Sequence, residues 1–279
     1  MKKILITGVA GLLGANFSRY LLKNGYRVVG IDDLSGGYID NVPDGCKLYN
    51  FNLVDSEKVN EVFKNEKPDY VYHFAAYAAE GLSPFIRNFN YKNNLIASVN
   101  VINACINNDI SKIIFTSSMA VYGKGNPPFT ESQLPCPEDP YGIAKYAVEL
   151  DLEQAKKQFG LDYSIVRPHN VIGKYQNIWD KYRNVVGIWI RQAIAGEPLT
   201  IYGDGSQTRA FSDISFYNVP FEKLMTQHSG EIFNIGADKP YTINEVSDIV
   251  IKVAKKHGFE ASKVYLEPRK EVHVAYCNH

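Results

Sequence analysis

The run Lys3-Ile4-Leu5-Ile6-Thr7 is short, apolar and β-like, and it ends directly on Gly8-Val9-Ala10-Gly11-Leu12-Leu13-Gly14. A helical pattern follows over residues 15–23, with Phe17, Leu21 and Leu22 able to share one face. A strand that turns on glycine straight into a helix constrains the chain strongly. The glycines let the backbone turn sharply and come close to a ligand. The helix start then presents free N–H groups and the positive end of its dipole. Gly8, Gly11 and Gly14 therefore predict a cradle for the pyrophosphate of a dinucleotide. The spacing is G-x-x-G-x-x-G rather than G-x-G-x-x-G.

The same alternation continues. Apolar runs at 27–32, 47–53, 70–75, 112–117 and 163–167 predict strands. Helical spacing at 56–65, 93–107 and 141–159 predicts the helices between them. Continuously apolar strands alternating with helices imply a parallel sheet covered on both faces. The expected fold is thus α/β, a Rossmann-type doubly wound parallel sheet. After Pro168 the elements become shorter and mixed: a helix near 185–195, strands at 199–202 and 231–235, and a helix at 242–257. This predicts a dinucleotide-binding domain over 1–168 and a smaller, mixed substrate-binding region over 169–279. The stretch 127–140 holds five of the thirteen prolines. It predicts a stiff loop beside the strand end at Ser118.

Composition narrows the function. Thirty basic residues balance thirty acidic ones over 279 residues, so no basic excess points to a nucleic-acid partner. No apolar run reaches about 18 residues, and the apolar start is too short for a signal peptide, so no membrane association is expected. Cys46, Cys105, Cys136 and Cys277 are widely separated and form no CxxC pair. They predict free thiols in a reducing cytoplasm, with no metal site.

The second strand ends in Asp32, eighteen residues after Gly14. A carboxylate there is placed to accept hydrogen bonds from the adenosine ribose. Residues 32–41 contain three aspartates and no lysine or arginine. A 2′-phosphate would meet repulsion, so NAD is expected rather than NADP.

Tyr141 and Lys145 stand four apart on a predicted helix and share a face. A free tyrosine titrates near 10, and an adjacent ammonium favours its phenolate. Lowering that value by about three units requires ~4 kcal/mol of differential stabilisation, to which Lys145 and an oxidised nicotinamide would both contribute. Ser118 follows the fifth strand, at the carboxyl edge where open α/β sheets hold ligands. Its hydroxyl can bond a reacting sugar hydroxyl or serve only as a turn cap.

With the glycine loop, Asp32, Ser118, Tyr141 and Lys145 in this order, the chain resembles an extended short-chain dehydrogenase/reductase. It is most similar to the nucleotide-sugar epimerases and dehydratases, UDP-glucose 4-epimerases above all. The likeness runs on through His73-Phe74-Ala75-Ala76, Asn93, residues 118–123, Arg167-Pro168-His169-Asn170, residues 203–209 and Phe233-Asn234-Ile235-Gly236. It implies that NAD contacts the backbone of Leu12 and Leu13, then Asp32, Asp33, Leu34 and Ser35. Asn52 and Leu53 would lie at the adenine, and Phe74, Ala75, Ala76, Asn93, Lys145 and His169 would line the rest. His169 is expected to pack at the nicotinamide end without proton chemistry, and His73 to be a satisfied core histidine.

The resemblance further implies that the C-terminal region holds a nucleotide sugar, a UDP-sugar by likeness. Asn170 and Asn184 would make polar contacts, Tyr202 would pack on the base, and Arg209 and Arg269 would reach the diphosphate. A homodimer is implied as well. Two departures stand out. Relatives read Asp-Phe-x-Tyr/His-Val-x-Asp after the arginine, whereas this chain reads Ala210-Phe211-Ser212-Asp213-Ile214-Ser215-Phe216. Relatives also continue with further helices beyond Tyr276, so the C-terminal region reads as shortened.

Dehydratases and decarboxylating relatives carry an acid just after the Ser/Thr. Here Met119 and Ala120 stand there. The expected reaction is therefore NAD-dependent epimerisation at C4 of a UDP-glucose/UDP-galactose-type sugar through a 4-keto intermediate. Other nucleotide-sugar reductases or epimerases on this scaffold, and a catalytically silent nucleotide binder, remain alternatives. A bulky Tyr276 beside the sugar ring implies a preference against N-acetylated sugars.

Overall fold

Side chains alternate along a strand, and here both sets are apolar. In the computed structural model, which describes residues 1–125, 127–180, 182, 184–268 and the backbone of 274–275, the two sets form two cores. β1 (Lys3–Thr7), β2 (Arg27–Asp32), β3 (Cys46–Asn50), β4 (Tyr70–His73), β5 (Lys112–Thr116) and β6 (Asp162–Pro168) are joined by α1 (Leu12–Lys23), α2 (Ser56–Glu66), α3 (Arg87–Tyr91), α4 (Ala97–Asn107) and α5 (Pro140–Phe159). Leu5, Ile31, Val71, Ile113, Phe115 and Ile165 pack on one face against Val59 and Phe63 of α2, Val101 of α4 and Leu152 of α5. Ile4, Ile6, Tyr72, Ile114 and Val166 pack on the other face against Phe17 and Leu21 of α1. Burial on both faces is why these strands read as unbroken apolar runs.

The main sheet is entirely parallel, in the order 231–235, β6, β5, β4, β1, β2, β3. Chain order reverses at β1, between β4 and β2. Ligands of open α/β sheets bind at the carboxyl end of such a switch point. Gly8 leaves β1 there with φ +72°, and a Cβ on it would lie 2.7 Å from the Ala75 backbone nitrogen. The glycine is therefore required twice, by its torsion and by its close approach to the chain leaving β4.

The second half holds two differences from the sequence pattern. The strand Glu231–Ile235 does not join the mixed C-terminal elements but completes the main sheet, pairing with β6 from Glu231 opposite Ser164 to Ile235 opposite Pro168. A helix at Asn218–Leu224, which Asn-Val-Pro disguises as a loop, puts Phe221 and Leu224 into the core beneath Tyr72 and Phe17. The altered segment after Arg209 does not prevent this docking. Asp213 caps the preceding 3₁₀ turn by accepting from the Ser215 nitrogen at 2.9 Å. Tyr217 donates to the Ile235 carbonyl at 2.8 Å, and Tyr72 donates to the Phe221 carbonyl at 2.6 Å.

The remaining C-terminal elements form a third core. Leu199 and Ile201 pack with Trp189 of the helix Val185–Ile194 and Val246 and Val250 of the helix Ile243–Lys256. The latter starts in a reciprocal cap between Thr242 and Glu245. Cys46, Cys105 and Cys136 are free thiols; Cys277 lies outside the described residues. Among the described residues no helix is long and apolar enough to cross a membrane.

Candidate active site

α5 begins where Asp139 accepts hydrogen bonds from the Tyr141 nitrogen at 2.8 Å and the Gly142 nitrogen at 3.0 Å, with Pro140 in the first turn. This is the expected start of a helix, an acidic cap followed by a residue with preset φ. It fixes where Tyr141 enters the site. Gly142 then allows α5 to lie against the turn Met119–Tyr122, since a Cβ on Gly142 would stand 2.7 Å from the Ala120 carbonyl oxygen. One turn further on, Lys145 Nζ donates to the Thr116 carbonyl at 2.8 Å. α5 thus meets β5 just before Ser118 and the turn just after it, and the structure places Ser118, Tyr141 and Lys145 at the same carboxyl edge.

Ser118 Oγ accepts from the Ala120 nitrogen at 3.1 Å. That bond uses a lone pair and leaves the hydroxyl proton to be donated elsewhere. Lys145 is 2% exposed. Burial pulls its ammonium down to about 7, while the Glu149 carboxylate pulls the other way. Its Nζ lies 5.9 Å from the centre of the Tyr141 ring and 4.7 Å from that of Phe115. The proline-rich stretch forms the expected loop against this edge: Cys136 donates its backbone N–H to Val121, and Lys124 donates back to Cys136.

The glycine loop packs tightly where β1 turns into α1. α1 starts at Leu12 with Gly11 as its cap residue, and no side chain caps it. Gly14 is packed so tightly that a Cβ would fall 2.2 Å from the Gly8 carbonyl oxygen. Asp32 is 9% exposed and accepts from the Ala10 nitrogen at 2.9 Å and the Leu34 nitrogen at 2.8 Å. Burial raises its pKa, and these two N–H groups oppose the rise. A carboxylate has about four acceptor sites, so both oxygens can still receive a ribose hydroxyl. Asp33 is more open: it accepts from Ser35 and, at 2.6 Å, from Asn52 Nδ2, which also donates to Asn93 at 3.1 Å. Asp33, Ser35, Asn52 and Asn93 line one cleft, with Phe51 and Phe89 as its apolar walls. Lys58 and Lys92 also reach this cleft, from segments that the window at residues 32–41 could not reveal. Lys58 is paired with Asp55 at 2.9 Å. The uncapped α1 terminus, the Asp32 carboxylate with acceptor sites left over and the walled cleft suit the phosphates, hydroxyls and base of a dinucleotide, so these residues fit NAD.

His73 is fully buried and satisfied on both ring nitrogens, by Thr7 Oγ1 at 2.6 Å and Ser98 Oγ at 2.8 Å. The Ser98 hydroxyl donates to the Asn94 carbonyl, and Thr7 Oγ1 receives the Ala75 N–H. These bonds assign His73 the neutral form with its proton on Nε2. Asn94 sits in a π turn (Lys92–Ile96) that joins α3 to α4, so the helix expected from Asn93 begins earlier, at Arg87. Leu53 is buried just past β3, and Phe74 (9% exposed) and Ala75 leave β4 beside Gly8, with Ala76 next in the chain.

His169 is buried and fills the space beside Gly236, where a Cβ would lie 2.1 Å from its ring. Asn170, in a left-handed conformation, donates to the Ala210 carbonyl at 2.9 Å. Asn184 is occupied in capping the helix Val185–Ile194 by accepting from Val186. Tyr202 ends the strand Leu199–Tyr202, and Arg209 lies on Thr208–Ala210 with Nη1 donating to the Thr208 carbonyl. Arg269 and Tyr276 lie outside the described residues. The sequence reading named Arg167 and Tyr122 only within matching segments and gave no role to Glu149 or Ser117; the four form a buried polar group behind the site. The available signal was Glu149, one further turn along the face that carries Tyr141 and Lys145.

The sequence model of the NAD dependent epimerase/dehydratase family matches residues 4–236. A UDP-glucose 4-epimerase from Thermotoga maritima, solved with UDP-glucose, is 31% identical with a TM-score of 0.93, over 99% of this chain and 90% of its own. A UDP-N-acetylglucosamine 4-epimerase from Methanobrevibacter ruminantium is 30% identical with a TM-score of 0.90, over 99% and 89%. A UDP-N-acetyl-alpha-D-glucosaminuronate decarboxylase from Bacillus cytotoxicus is 28% identical over 98% of this chain and 85% of its own. The chain belongs to the NAD dependent epimerase/dehydratase family, within the extended short-chain dehydrogenases/reductases, and its cofactor is NAD.

Proposed function

We propose that this protein epimerises C4 of a nucleotide-diphosphate sugar of the UDP-glucose/UDP-galactose type. The carrying observation is that Ser118, Tyr141 and Lys145 share one edge of the sheet while Met119 and Ala120, not an acid, form the turn after Ser118. Loss of water or of carbon dioxide needs a further acid–base group or a carboxylated sugar. Epimerisation needs one base and space for the sugar to turn.

In this reading Tyr141 takes the C4-hydroxyl proton as a phenolate. Ser118 donates its hydroxyl proton to the same sugar oxygen while its Oγ keeps the bond from the Ala120 N–H. Lys145 stabilises the phenolate from a dry position. Bound NAD supplies the hydride acceptor and donor at C4. The 4-keto sugar turns about its diphosphate between the two transfers, and Tyr141 returns the proton to the opposite epimer. Asn170, Asn184, Tyr202, Arg209, Arg269 and Tyr276 would hold the nucleotide and border the sugar.

The test is incubation of NAD-loaded protein with UDP-glucose, UDP-galactose, their N-acetylated forms, UDP-glucuronate and dTDP-glucose, with products separated by chromatography. Interconversion of UDP-glucose and UDP-galactose, faster than of the N-acetylated pair, is expected. A 4-keto-6-deoxy product, a pentose, or no turnover would overturn the reading.

A homodimer is part of this proposal. Phe89 and Ile96 before α4, and Ile143 and Leu150 on α5, are 41–45% exposed at seven-residue spacing on neighbouring helices, an apolar strip suited to a second copy. Light scattering after size exclusion should give twice 31.4 kDa. A cytoplasmic location also belongs here, on the free thiols.

A further inference from the structure

Behind the site lies a buried ion pair with no place in the reaction described so far. Glu149 and Arg167 are 4% and 1% exposed. Arg167 grips the carboxylate with two nitrogens, Nε at 3.0 Å and Nη2 at 2.5 Å. The Ser117 hydroxyl donates to the same carboxylate. Arg167 Nη1 also donates to the Tyr122 hydroxyl at 2.9 Å, which donates to Asn234 Oδ1 at 2.7 Å. One polar group thus ties α5, the end of β5, the turn after Ser118, β6 and the strand Glu231–Ile235.

Its placement matters more than its extent. Glu149 is four residues beyond Lys145 and so sits directly beneath it on the helix. Ser117 is the residue between Thr116, whose carbonyl holds Lys145, and Ser118. The groups that face Lys145 are Tyr141 and Glu149 on its own helix, His73 on β4, the Thr116 carbonyl and Phe115 ring on β5, and Arg167 on β6 through Glu149. His73 is neutral by its hydrogen bonds. The charge beneath Lys145 is therefore the Glu149 carboxylate, with Arg167 balancing it.

We infer that Glu149 is a positioning residue: by holding the Ser117 hydroxyl and Arg167 from the turn beneath Lys145, it fixes where Ser118 stands and sets the charge that Lys145 presents to Tyr141. This rests on the reading of Ser118, Tyr141 and Lys145 as the reacting groups. A buried pair is a poor source of net stability, because desolvation offsets the attraction. A role in geometry and local charge explains why it stands at this spot rather than an apolar pair.

Two charge variants have opposite signs. Glu149→Gln leaves Arg167 as an uncompensated cation, so the Lys145 titration midpoint should fall by about a unit. The bell-shaped kcat profile should narrow, while KM for the nucleotide sugar stays within about twofold. Arg167→Met leaves the carboxylate uncompensated, so the midpoint should rise. Ser117→Ala removes no charge and leaves no charged group unpaired. It should lower kcat about tenfold, with KM and both pH limbs unmoved, because misplacing a catalytic group by a fraction of an ångström is costly. The Lys145 midpoint is read without substrate, by NMR of protein with 13C-labelled lysine, the resonance assigned by its loss in Lys145→Met. Midpoints that coincide in wild type, Glu149→Gln and Arg167→Met would overturn the charge role, and full kcat in Ser117→Ala would overturn the positioning role. Where a charge variant does not fold, Ser117→Ala still decides. If the wild type turns over no nucleotide sugar, the proposed function fails while the Lys145 titration still tests the charge role.

Discussion

Acidification to about pH 5 should weaken the fold through one side chain, His73. Its ring is sealed in the core and already uses both nitrogens, accepting from Thr7 and donating to Ser98. Burial, reinforced by the charge of Lys145, lowers its pKa to about 3 from the ordinary 6.5. A base with a lowered folded value contributes stability that is present above the unfolded value and is lost as pH falls towards the folded one. Between pH 6.5 and 3 the unfolded chain binds a proton here that the folded chain refuses. At about pH 5 the gap is roughly 1.5 units, so the loss is ~2 kcal/mol relative to neutral pH. Replacement by asparagine removes the titration while keeping a polar side chain. Urea unfolding of wild type and His73→Asn at about pH 7.5 and pH 5 gives four stabilities. Other groups contribute equally to both proteins, so wild type should lose ~2 kcal/mol more than the variant on acidification, whatever the variant's own starting stability. Equal losses in the two proteins would refute the argument, and so would a proton-NMR titration of the His73 ring in the folded protein near 6.5.

Three further outcomes follow from the site. Tyr141→Phe should lower kcat by ~10²–10⁴ with NAD still bound, read by turnover and by cofactor retained on a desalting column. Gly142→Ala places a carbon 2.7 Å from the Ala120 carbonyl and must push α5 away from the Ser118 turn; kcat should drop about tenfold or more, and an unchanged kcat would show that this approach is not needed. Asp32→Ala should weaken NAD more than a single lost ribose contact implies, because the Ala10 and Leu34 N–H groups lose their acceptor as well. It should also relax discrimination against NADP, as a competition titration of the two dinucleotides would reveal.

The parallel sheet and the glycine cradle were legible because their causes are local. Double-sided burial leaves apolar runs, and a close turn leaves glycines at fixed spacing. Ser118, Tyr141 and Lys145 were legible for the same reason, each being tied to an element end or a helix face. Arg167, Tyr122 and Asn234 stood in recognisable segments, but their linkage to one another and to Glu149 was not legible, since it needs partners brought together by the sheet and the three are far apart in sequence. Lys58 and Lys92 escaped for the same reason. The helix Asn218–Leu224 was hidden by its proline, and the position of 231–235 by the rule that consecutive strands lie side by side, which the chain breaks by returning to β6.

That return bears on how the protein is made. When the first 168 residues have left the ribosome, β6 is an open edge, and the surface around Tyr72, Phe17 and Val166 has no cover until residues 217–235 follow. The nascent cofactor half must wait with an unpaired strand and a bare apolar face, features that invite aggregation or chaperone binding. A ribosome stall or premature stop between these points would release a chain that contains every glycine of the cradle and the whole Ser–Tyr–Lys set, yet lacks the strand and helix that close its sheet. Synthesis of residues 217–235 is thus the step that closes the sheet edge and covers this apolar face.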